Sequence, residues 1–339
     1  MFEFLSLHIS EIQFLMSSSN FIATLTMNPC YDKSVIINDE IKIGGLNRTK
    51  TIKMELAGKG FNVSRGLYQL NYKTIATGIC KVDGNKDIKK LKYLDGGKYF
   101  VNSDKDPRIN LKVFSQKTHV LTEFNDSGNE LMPKDIDLIK NKVKEIAQKE
   151  DVKIFVMSGS LPPGCKPNFY KELINDIKKY CDYIVLDTSG DALIKSLDIQ
   201  GEMPDFIKPN LIELETIFGK KYDLQNEGVF NEIKKDGLQL IDKGIKIVCI
   251  TLGYEGSICI TKDKCYRALP IEVEVKGTVA GGDSFIVGFC TALIDSLDIQ
   301  ECFRRAVASA TSSVVQEGSE VVKKELMDFY IDKVHIEEF

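Results

Sequence analysis

The stretch Gly277-Thr-Val-Ala-Gly-Gly-Asp-Ser-Phe-Ile-Val-Gly-Phe289 joins an extended run, Ile-Glu-Val-Glu-Val at 271–275, to an apolar segment of helical character. A strand that passes through a glycine-rich turn into a helix is the elementary unit of α/β folds. The small residues Ala280, Gly281 and Gly282 allow backbone amides to point at a ligand, and a helix start favours an anion. The stretch therefore predicts an anion hole with Asp283 beside it.

Two interpretations of Asp283 follow from this position. An acidic residue in a first turn stabilises the helix, either as an N-cap or through the helix dipole. The same carboxylate next to a bound phosphate is also placed to accept a proton. The spacing alone leaves both interpretations open.

The rest of the chain alternates short β-type runs with helical runs. This alternation predicts a mostly parallel sheet with helices on both faces. Extended runs at about 33–54 and 98–124 do not fit it, and we expect them to form a separate small sheet. The predicted strands of the large sheet are 21–26, 74–79, 154–158, 183–187, 205–208, 245–251 and segments within 257–275. Helices are predicted at about 60–70, after Pro133, after Pro167, after Asn210, and at about 228–243, 282–296 and 299–316.

Composition excludes several classes of function. The chain has 339 residues, is 43% hydrophobic and carries a formal net charge of −4, which predicts no nucleic-acid partner and no anionic membrane partner. Its nine cysteines include no C-x-x-C pair, and three scattered histidines make no metal site. The cysteines lie mostly among apolar residues, as expected for core thiols in the cytoplasm.

The first residues differ from the remainder of the chain. Residues 1–15 lack a basic segment, and no apolar run approaches the roughly 20 residues of a membrane span. The first core strand begins near Phe21. We therefore expect residues 1–20 to be an extension outside the fold and residues 21–339 to form one domain.

A second glycine-rich segment, Ala57-Gly58-Lys59-Gly60-Phe-Asn62, opens another predicted helix. Its glycines permit close backbone approach, and Lys59 and Asn62 are suited to bind hydroxyls or an anion. It matches neither G-x-G-x-x-G nor G-x-x-x-x-G-K-[ST], which argues against a dinucleotide-binding dehydrogenase and a Walker-type kinase. A simple helix entry is the alternative.

Together the two segments resemble the two signature motifs of the PfkB (ribokinase-like) carbohydrate kinase family, usually G-G-K-G-x-N and T-V-G-A-G-D-S-F. The resemblance covers about residues 21–320. Two departures are Ala57, which replaces the first glycine, and Ala280-Gly281, which inverts the usual Gly-Ala order. Further matches in family order are Asn28-Pro29-x-x-Asp32, Ser158-Gly-Ser160-Leu-Pro-Pro-Gly164, Asp187-Thr-Ser-Gly190, Lys208-Pro-Asn210-x-x-Glu213 and Thr251-Leu-Gly253-x-x-Gly256.

The resemblance implies an α/β fold with a Rossmann-like core and a β-sheet lid, and a kinase that uses ATP and Mg²⁺. It implies that Asp283 takes the proton of the attacking hydroxyl while the 280–282 anion hole receives the phosphoryl charge. An aspartate near its ordinary pKa suffices for that role. The substrate-binding residues implied are Asp32, Gly58, Lys59, Asn62, Arg108, Asn110 and Ser160.

The nucleotide side is implied in the same way. ATP would contact Lys208, Asn210, Thr251, Gly253, Gly256 and Gly282, while Asn210 and Glu213 would order the water shell of Mg²⁺. Taken alone, Asn210 and Glu213 indicate only a helix cap and a solvated acid, and 251–256 an ordinary hairpin turn.

Arg108-Ile-Asn110 before a strand resembles the branch of the family that acts on phosphorylated ketohexoses. It implies conversion of fructose 1-phosphate to fructose 1,6-bisphosphate, with tagatose 6-phosphate or fructose 6-phosphate as alternative substrates. Arg108 as a surface charge is the simpler alternative. A sugar-phosphate-binding regulator with little turnover stays open because of the inversion at 280–281, and the lid implies a possible homodimer.

Overall fold

The computed structural model describes residues 20–339, and the statements below concern those residues. Fourteen strands occur in this range. They are β1 (Phe21–Thr26), β2 (Cys30–Ile37), β3 (Lys50–Ala57), β4 (Thr74–Cys80), β5 (Phe100–Asn102), β6 (Arg108–Ser115), β7 (Leu121–Asn125), β8 (Val152–Ser158), β9 (Tyr183–Asp187), β10 (Phe206–Ile207), β11 (Ile247–Thr251), β12 (Ser257–Ile260), β13 (Cys265–Ala268) and β14 (Ile336–Glu338).

Ten α-helices accompany the strands within the same range. They are α1 (Lys59–Gln69), α2 (Lys86–Lys90), α3 (Pro133–Lys149), α4 (Phe169–Ile177), α5 (Gly190–Ser196), α6 (Leu211–Phe218), α7 (Val229–Asp242), α8 (Gly281–Ile294), α9 (Ile299–Val314) and α10 (Lys324–Ile331). None of the helices in the described part of the chain is both long enough and apolar enough to cross a membrane.

Ten strands form the large sheet, in the order β14-β13-β12-β11-β10-β9-β8-β1-β4-β5. The seven strands from β11 to β5 run parallel, and β12 to β14 are added antiparallel. Parallel strands covered on both faces need apolar residues throughout, and β1 and β8 are buried along nearly their whole length. Separate apolar clusters pack on the two faces, as the alternation of the sequence predicts.

The second sheet has four strands in the order β3-β2-β6-β7, and we call it the lid. Alternate residues of β6 point to opposite faces. Asn110 and Lys112 are buried on one face, whereas Ile109 on the other face is half exposed. The mixed α/β fold with a second small sheet is therefore confirmed.

Two details differ from the sequence prediction, and a third prediction is not tested by the described residues. Residues 271–275 are not a strand, because β13 is already paired on both edges by β12 and β14. β5, which falls within the predicted lid range 98–124, pairs instead with β4 in the large sheet. The predicted extension, residues 1–20, lies outside the described residues except for its last position.

Candidate active site

A cavity of about 240 Å³ lies between the lid and the carboxyl ends of the parallel strands, and we call it the central cavity. Parallel strands end along one edge of a sheet, so residues that follow distant strands meet there. Its wall brings together eight of the residues predicted from sequence. They are Asp32, Gly58, Lys59, Asn62, Arg108, Asn110, Ser160 and Asp283.

Asp283 lies at the third position of α8 with only 3% of its surface exposed. The N-cap of this helix is Ala280, and no side chain caps the helix start. The carboxylate instead accepts a hydrogen bond from Asn62, with 2.8 Å between Nδ2 and Oδ2. The structure therefore does not use Asp283 as an N-cap, and its carboxylate faces the central cavity.

Burial controls the proton affinity of this carboxylate. It raises the pKa of Asp283 from 3.8 to about 6, and the charge of Asp187 acts in the same direction. Lys59, Asn62 and Lys208 oppose the rise without cancelling it. The role of base implied by the sequence needs only an ordinary pKa. In the structure the pKa of Asp283 lies nearer to neutral pH, where a general base is more effective.

Asp187 is a charge centre that the sequence prediction did not assign to the site. It ends β9 and is buried, and its two oxygens lie 2.9 Å from Lys59 Nζ and 3.4 Å from Lys208 Nζ. Burial alone would raise the pKa of Asp187, but Lys208 and Lys59 lower it to about 2. The carboxylate thereby holds two ammonium groups beside Asp283.

Lys59 belongs both to this cluster and to the cavity wall. Burial alone would lower its pKa, but the charges of Asp187 and Asp283 outweigh burial and raise the pKa of Lys59 above its ordinary value. Its ammonium therefore stays charged at the point where the second glycine-rich segment meets α8.

Glycines bring that segment against β1. Gly58, the N-cap of α1, has a φ of +150°, a conformation that L side chains rarely adopt. A Cβ at Gly60 would lie 2.5 Å from the Thr26 hydroxyl and 2.6 Å from the Leu25 carbonyl. The close approach explains both glycines and directs Lys59 and Asn62 toward the central cavity.

The lid contributes a second buried ion pair. Lys112 donates from Nζ to Asp32, and both side chains are only 7% exposed. Asp32 also accepts hydrogen bonds from Asn110 Nδ2 and Cys30 Sγ, each at 3.3 Å. Sequence reasoning found Asp32 and Asn110 but missed Lys112, whose only signal was its spacing of two from Asn110 along β6.

Arg108 is half buried on the cavity wall and donates from one terminal nitrogen to the Asp126 carbonyl. Its Nε is buried and finds no hydrogen-bond partner among the described residues, and the same holds for Asn110 Oδ1 and Thr26 Oγ1. Unpaired buried polar atoms are costly in a folded protein. All three residues belong to the wall of the central cavity.

Ser160 lies at the exposed mouth of the central cavity. It accepts a weak hydrogen bond from Asn28, at 3.4 Å between Nδ2 and Oγ. The residues predicted for the nucleotide are not among those that line this cavity, although one of them, Lys208, is paired with Asp187.

Lys208 lies beside the predicted anion hole. A Cβ added to Gly282 would lie 3.1 Å from Lys208 Nζ, so only a small residue leaves room for the ammonium there. The neighbouring Ala280 has φ −100° and ψ 6°, values open to any residue. The inversion at 280–281 is therefore accommodated without backbone strain at Ala280.

Asn210 and Glu213 form a capping box at the start of α6. Asn210 Oδ1 accepts from the Glu213 amide, and Glu213 Oε2 accepts from the Asn210 amide, each at 2.9 Å. Burial raises the pKa of Glu213, and Asp187 adds to the rise. A cation beside Glu213 would therefore be favoured, although residues 20–339 contain no group of three or more His, Cys, Asp or Glu suited to hold a metal ion.

Thr251 pairs with Asn210 as an isolated parallel bridge, which brings the 251–256 turn beside the capping box. Gly253 and Gly256 have φ values of +62° and +88°, and a Cβ at Gly256 would meet the Ala268 carbonyl at 2.1 Å. The turn connects β11 and β12 as an antiparallel hairpin. Its glycines are explained by that turn, whether or not a ligand binds.

Comparisons with known proteins agree with this geometry. The model of the pfkB family carbohydrate kinases matches residues 25–325. The chain is similar to the 1-phosphofructokinase of Borreliella burgdorferi, with 30% identity over 93% of this chain and 99% of that protein. It is also similar to the 1-phosphofructokinase of Escherichia coli, with 29% identity over 94% and 98%.

Among solved structures, the phosphofructokinase-2 of Escherichia coli in complex with potassium superimposes with a TM-score of 0.80. The two chains are 25% identical, and the match covers 93% of this chain and 99% of that one. The chain therefore belongs to the pfkB family of carbohydrate kinases.

Proposed function

We propose that this carbohydrate kinase transfers the γ-phosphoryl group of ATP to a phosphorylated ketohexose, with fructose 1-phosphate converted to fructose 1,6-bisphosphate. The observation that carries the proposal is Asp283. It is a buried carboxylate with a raised pKa, held by Asn62 rather than by its own helix, on a cavity that also contains Arg108 and Lys112.

The chemistry assigned to Asp283 is proton transfer. A sugar hydroxyl attacks the γ-phosphorus, the new O–P bond forms as the bond to the β-phosphate oxygen breaks, and the hydroxyl proton passes to Asp283. ADP leaves with the bridging oxygen. The ionised carboxylate is the reactive form, so the pKa of about 6 leaves it available at neutral pH.

Charge on the transferred group would meet fixed donors. The first amides of α8 have no partner within the helix, and its N-cap Ala280 carries no capping group. Lys208 and Lys59, held by Asp187, add two ammonium groups nearby. Preorganised donors of this kind supply a large share of the rate in phosphoryl transfer.

Magnesium fits the nucleotide side through water. Asn210 and Glu213 would hold the hydrated ion, because Mg²⁺ keeps most of its water shell and the raised pKa of Glu213 favours a nearby cation. The ion supplies charge neutralisation on the phosphates. Asn210 Oδ1 and Glu213 Oε2 each accept one hydrogen bond in the capping box. Glu213 Oε1 and the second lone pair of Asn210 Oδ1 would accept hydrogen bonds from the water shell of the ion.

The choice of a phosphorylated sugar rests on Arg108, which lines the same central cavity as Asp283. Its planar guanidinium group is suited to bind phosphate oxygens. The two relatives named 1-phosphofructokinase support fructose 1-phosphate as the substrate.

ADP release in the presence of ATP and Mg²⁺ tests the function. Fructose 1-phosphate, fructose 6-phosphate and tagatose 6-phosphate are compared, and we expect the highest kcat/KM with fructose 1-phosphate. A higher value with either other sugar would reassign the substrate. Binding of a sugar phosphate without turnover would instead favour the regulator, although the ordinary backbone angles of Ala280 argue for an intact anion hole.

We further propose that the lid joins two copies of the chain. On its outer face Met54 is 51% and Phe124 53% exposed, and the strand register aligns them with Lys33 and Leu111 in one row. Exposed apolar rows of this kind are typical of protein contacts. A Met54→Glu/Phe124→Glu variant should sediment as a monomer while the parent chain sediments as a dimer; a monomeric parent chain would refute the proposal.

A further inference from the structure

Lys112 is a buried lysine that none of the roles described so far requires. It lies on the inner face of β6, four residues after Arg108 and therefore on the same side of the strand. Its side chain is 7% exposed, and its ammonium donates to Asp32 across the parallel pairing of β6 with β2. Both residues line the central cavity.

Stability does not explain this pair. Removing two charges from water costs several kcal/mol, and a buried ion pair is often no more stable than apolar residues of the same volume. The neighbouring Val35 and Val113 form an apolar cluster in the same lid, so the sheet has apolar packing without the pair. A buried ion pair on a cavity wall does, however, fix the direction of its carboxylate.

The hydrogen bonds around Asp32 show how firmly it is fixed. Lys112 donates to Oδ2, while Asn110 and Cys30 donate to Oδ1. Three hydrogen-bond donors from two strands hold the carboxylate in one orientation. The amide oxygen of Asn110, which is turned away from Asp32, is buried without a partner among the described residues.

We infer that Lys112 is a positioning residue that sets the stereochemical specificity of the kinase. By fixing Asp32, Lys112 holds an acceptor that reads a ring hydroxyl of the ketohexose phosphate. The inference rests on the proposed function and deepens it.

A fixed acceptor discriminates between sugars that differ at one hydroxyl. A site built to bind a hydroxyl in one direction rejects the epimer, because a buried acceptor then loses its partner. Fructose and tagatose differ only in the configuration at C4. The ratio of kcat/KM for fructose 1-phosphate over tagatose 1-phosphate therefore measures how rigidly the hydroxyl acceptor is held.

The test compares Lys112→Gln, which keeps a hydrogen-bond donor to Asp32, and Lys112→Met, which removes it. We expect KM for fructose 1-phosphate to rise about 10-fold in Lys112→Gln and further in Lys112→Met, with KM for ATP unchanged. The epimer ratio should fall by about 10-fold in Lys112→Met. It should fall by a smaller but measurable factor in Lys112→Gln, whose amide is neutral and shorter than the ammonium group that it replaces. Lys112→Arg retains the positive charge beside Asp32, so its epimer ratio should stay close to that of the parent chain.

Lys117→Met is the matched control. Lys117 also pairs with an aspartate of the lid, Asp39 at 3.0 Å, but its side chain is 57% exposed and lies outside the central cavity. Both the KM and the epimer ratio should stay at the parent values in this variant.

An unchanged epimer ratio in folded Lys112→Gln, whatever happens to KM, would overturn the inference and leave Lys112 with a structural role. If Lys112→Met does not fold, Lys112→Gln and Lys112→Arg still decide the matter. Failure of the parent chain to phosphorylate either epimer would refute the proposed substrate instead, so the two failures are distinguishable.

Discussion

Helices α8 and α6 both begin near the central cavity, and both carry an acidic residue three positions after the N-cap. Their carboxylates are used in opposite ways. Glu213 closes a capping box with Asn210, whereas Asp283 leaves its helix uncapped and binds Asn62 of another helix.

An acidic residue in a first turn therefore does not by itself indicate whether it caps the helix. The N-cap decides, because Asn210 offers a side chain that completes the box and Ala280 does not. Without a capping partner Asp283 stays buried beside Asp187, and its pKa is raised to about 6. The comparison separates a carboxylate that stabilises a helix from one that is available for chemistry.

Asp283→Asn should give the largest effect. The amide keeps the shape of the side chain and an acceptor for Asn62 but cannot take a proton. We expect kcat to fall by at least about 10³-fold, with the binding of ATP nearly unchanged. Steady-state kinetics and nucleotide titration measure both, and turnover within about tenfold of the parent would contradict the role as base.

The same variant should be more stable than the parent chain. Because the folded pKa of Asp283 lies above its ordinary 3.8, the parent loses stability as the pH rises from 3.8 through about 6. The difference between the two pKa values corresponds to a loss of about 3 kcal/mol in the free energy of unfolding at neutral pH. In thermal unfolding from pH 4 to 8, the Tm of Asp283→Asn should exceed that of the parent by an amount that grows up to pH 6 and then stays level. A difference in Tm that does not change with pH would contradict the raised pKa.

Arg108→Ala extends the comparison to a residue of the lid. We expect kcat/KM for a phosphorylated ketohexose to fall by about 10²-fold, a loss of about 3 kcal/mol, with little change in KM for ATP. Kinetics with each substrate varied in turn make this measurement. Unchanged kinetics with the sugar phosphate would leave Arg108 a surface charge and weaken the case for a phosphorylated substrate.

The smallest effects concern the capping box. Asn210→Ala should lower the free energy of unfolding by about 1 kcal/mol, as loss of an N-cap does. Glu213→Gln preserves the box and removes a carboxyl group whose pKa is raised, so its stability at neutral pH should not fall below that of the parent. Half-maximal activity should nevertheless require about tenfold more Mg²⁺. Denaturant unfolding and a Mg²⁺ titration of activity separate the two roles. An unchanged Mg²⁺ requirement would restrict Glu213 to capping.

Much of the fold could be predicted because apolar periodicity is local. The strand at 21–26 and the strand at 183–187 were predicted to the residue. Residues 271–275 have the same extended pattern, yet they are not a strand. The neighbouring strands fill both edges of β13, and strand pairing is a property of the sheet rather than of the segment.

Within the candidate site, the sequence indicated residues that stand in glycine-rich motifs. It could not indicate the charges that act on them. Asp187 lies 128 residues from Lys59, and Lys112 lies 80 residues from Asp32. Such pairs form only once β9, β2 and β6 are placed in their sheets. For the same reason the raised pKa of Asp283 could not be predicted, because it depends on burial.

The pH dependence of kcat/KM for fructose 1-phosphate tests the central claim most directly, because Asp283 must be ionised to accept a proton. With its pKa at about 6, activity should be constant above pH 7 and fall about tenfold per pH unit well below pH 6. The second ionisation of a sugar phosphate also falls near pH 6, so free fructose, used at high concentration, serves as the control substrate. The same acid limb with both substrates is the predicted result. With free fructose, activity that stays level down to pH 5 would contradict a base with this pKa.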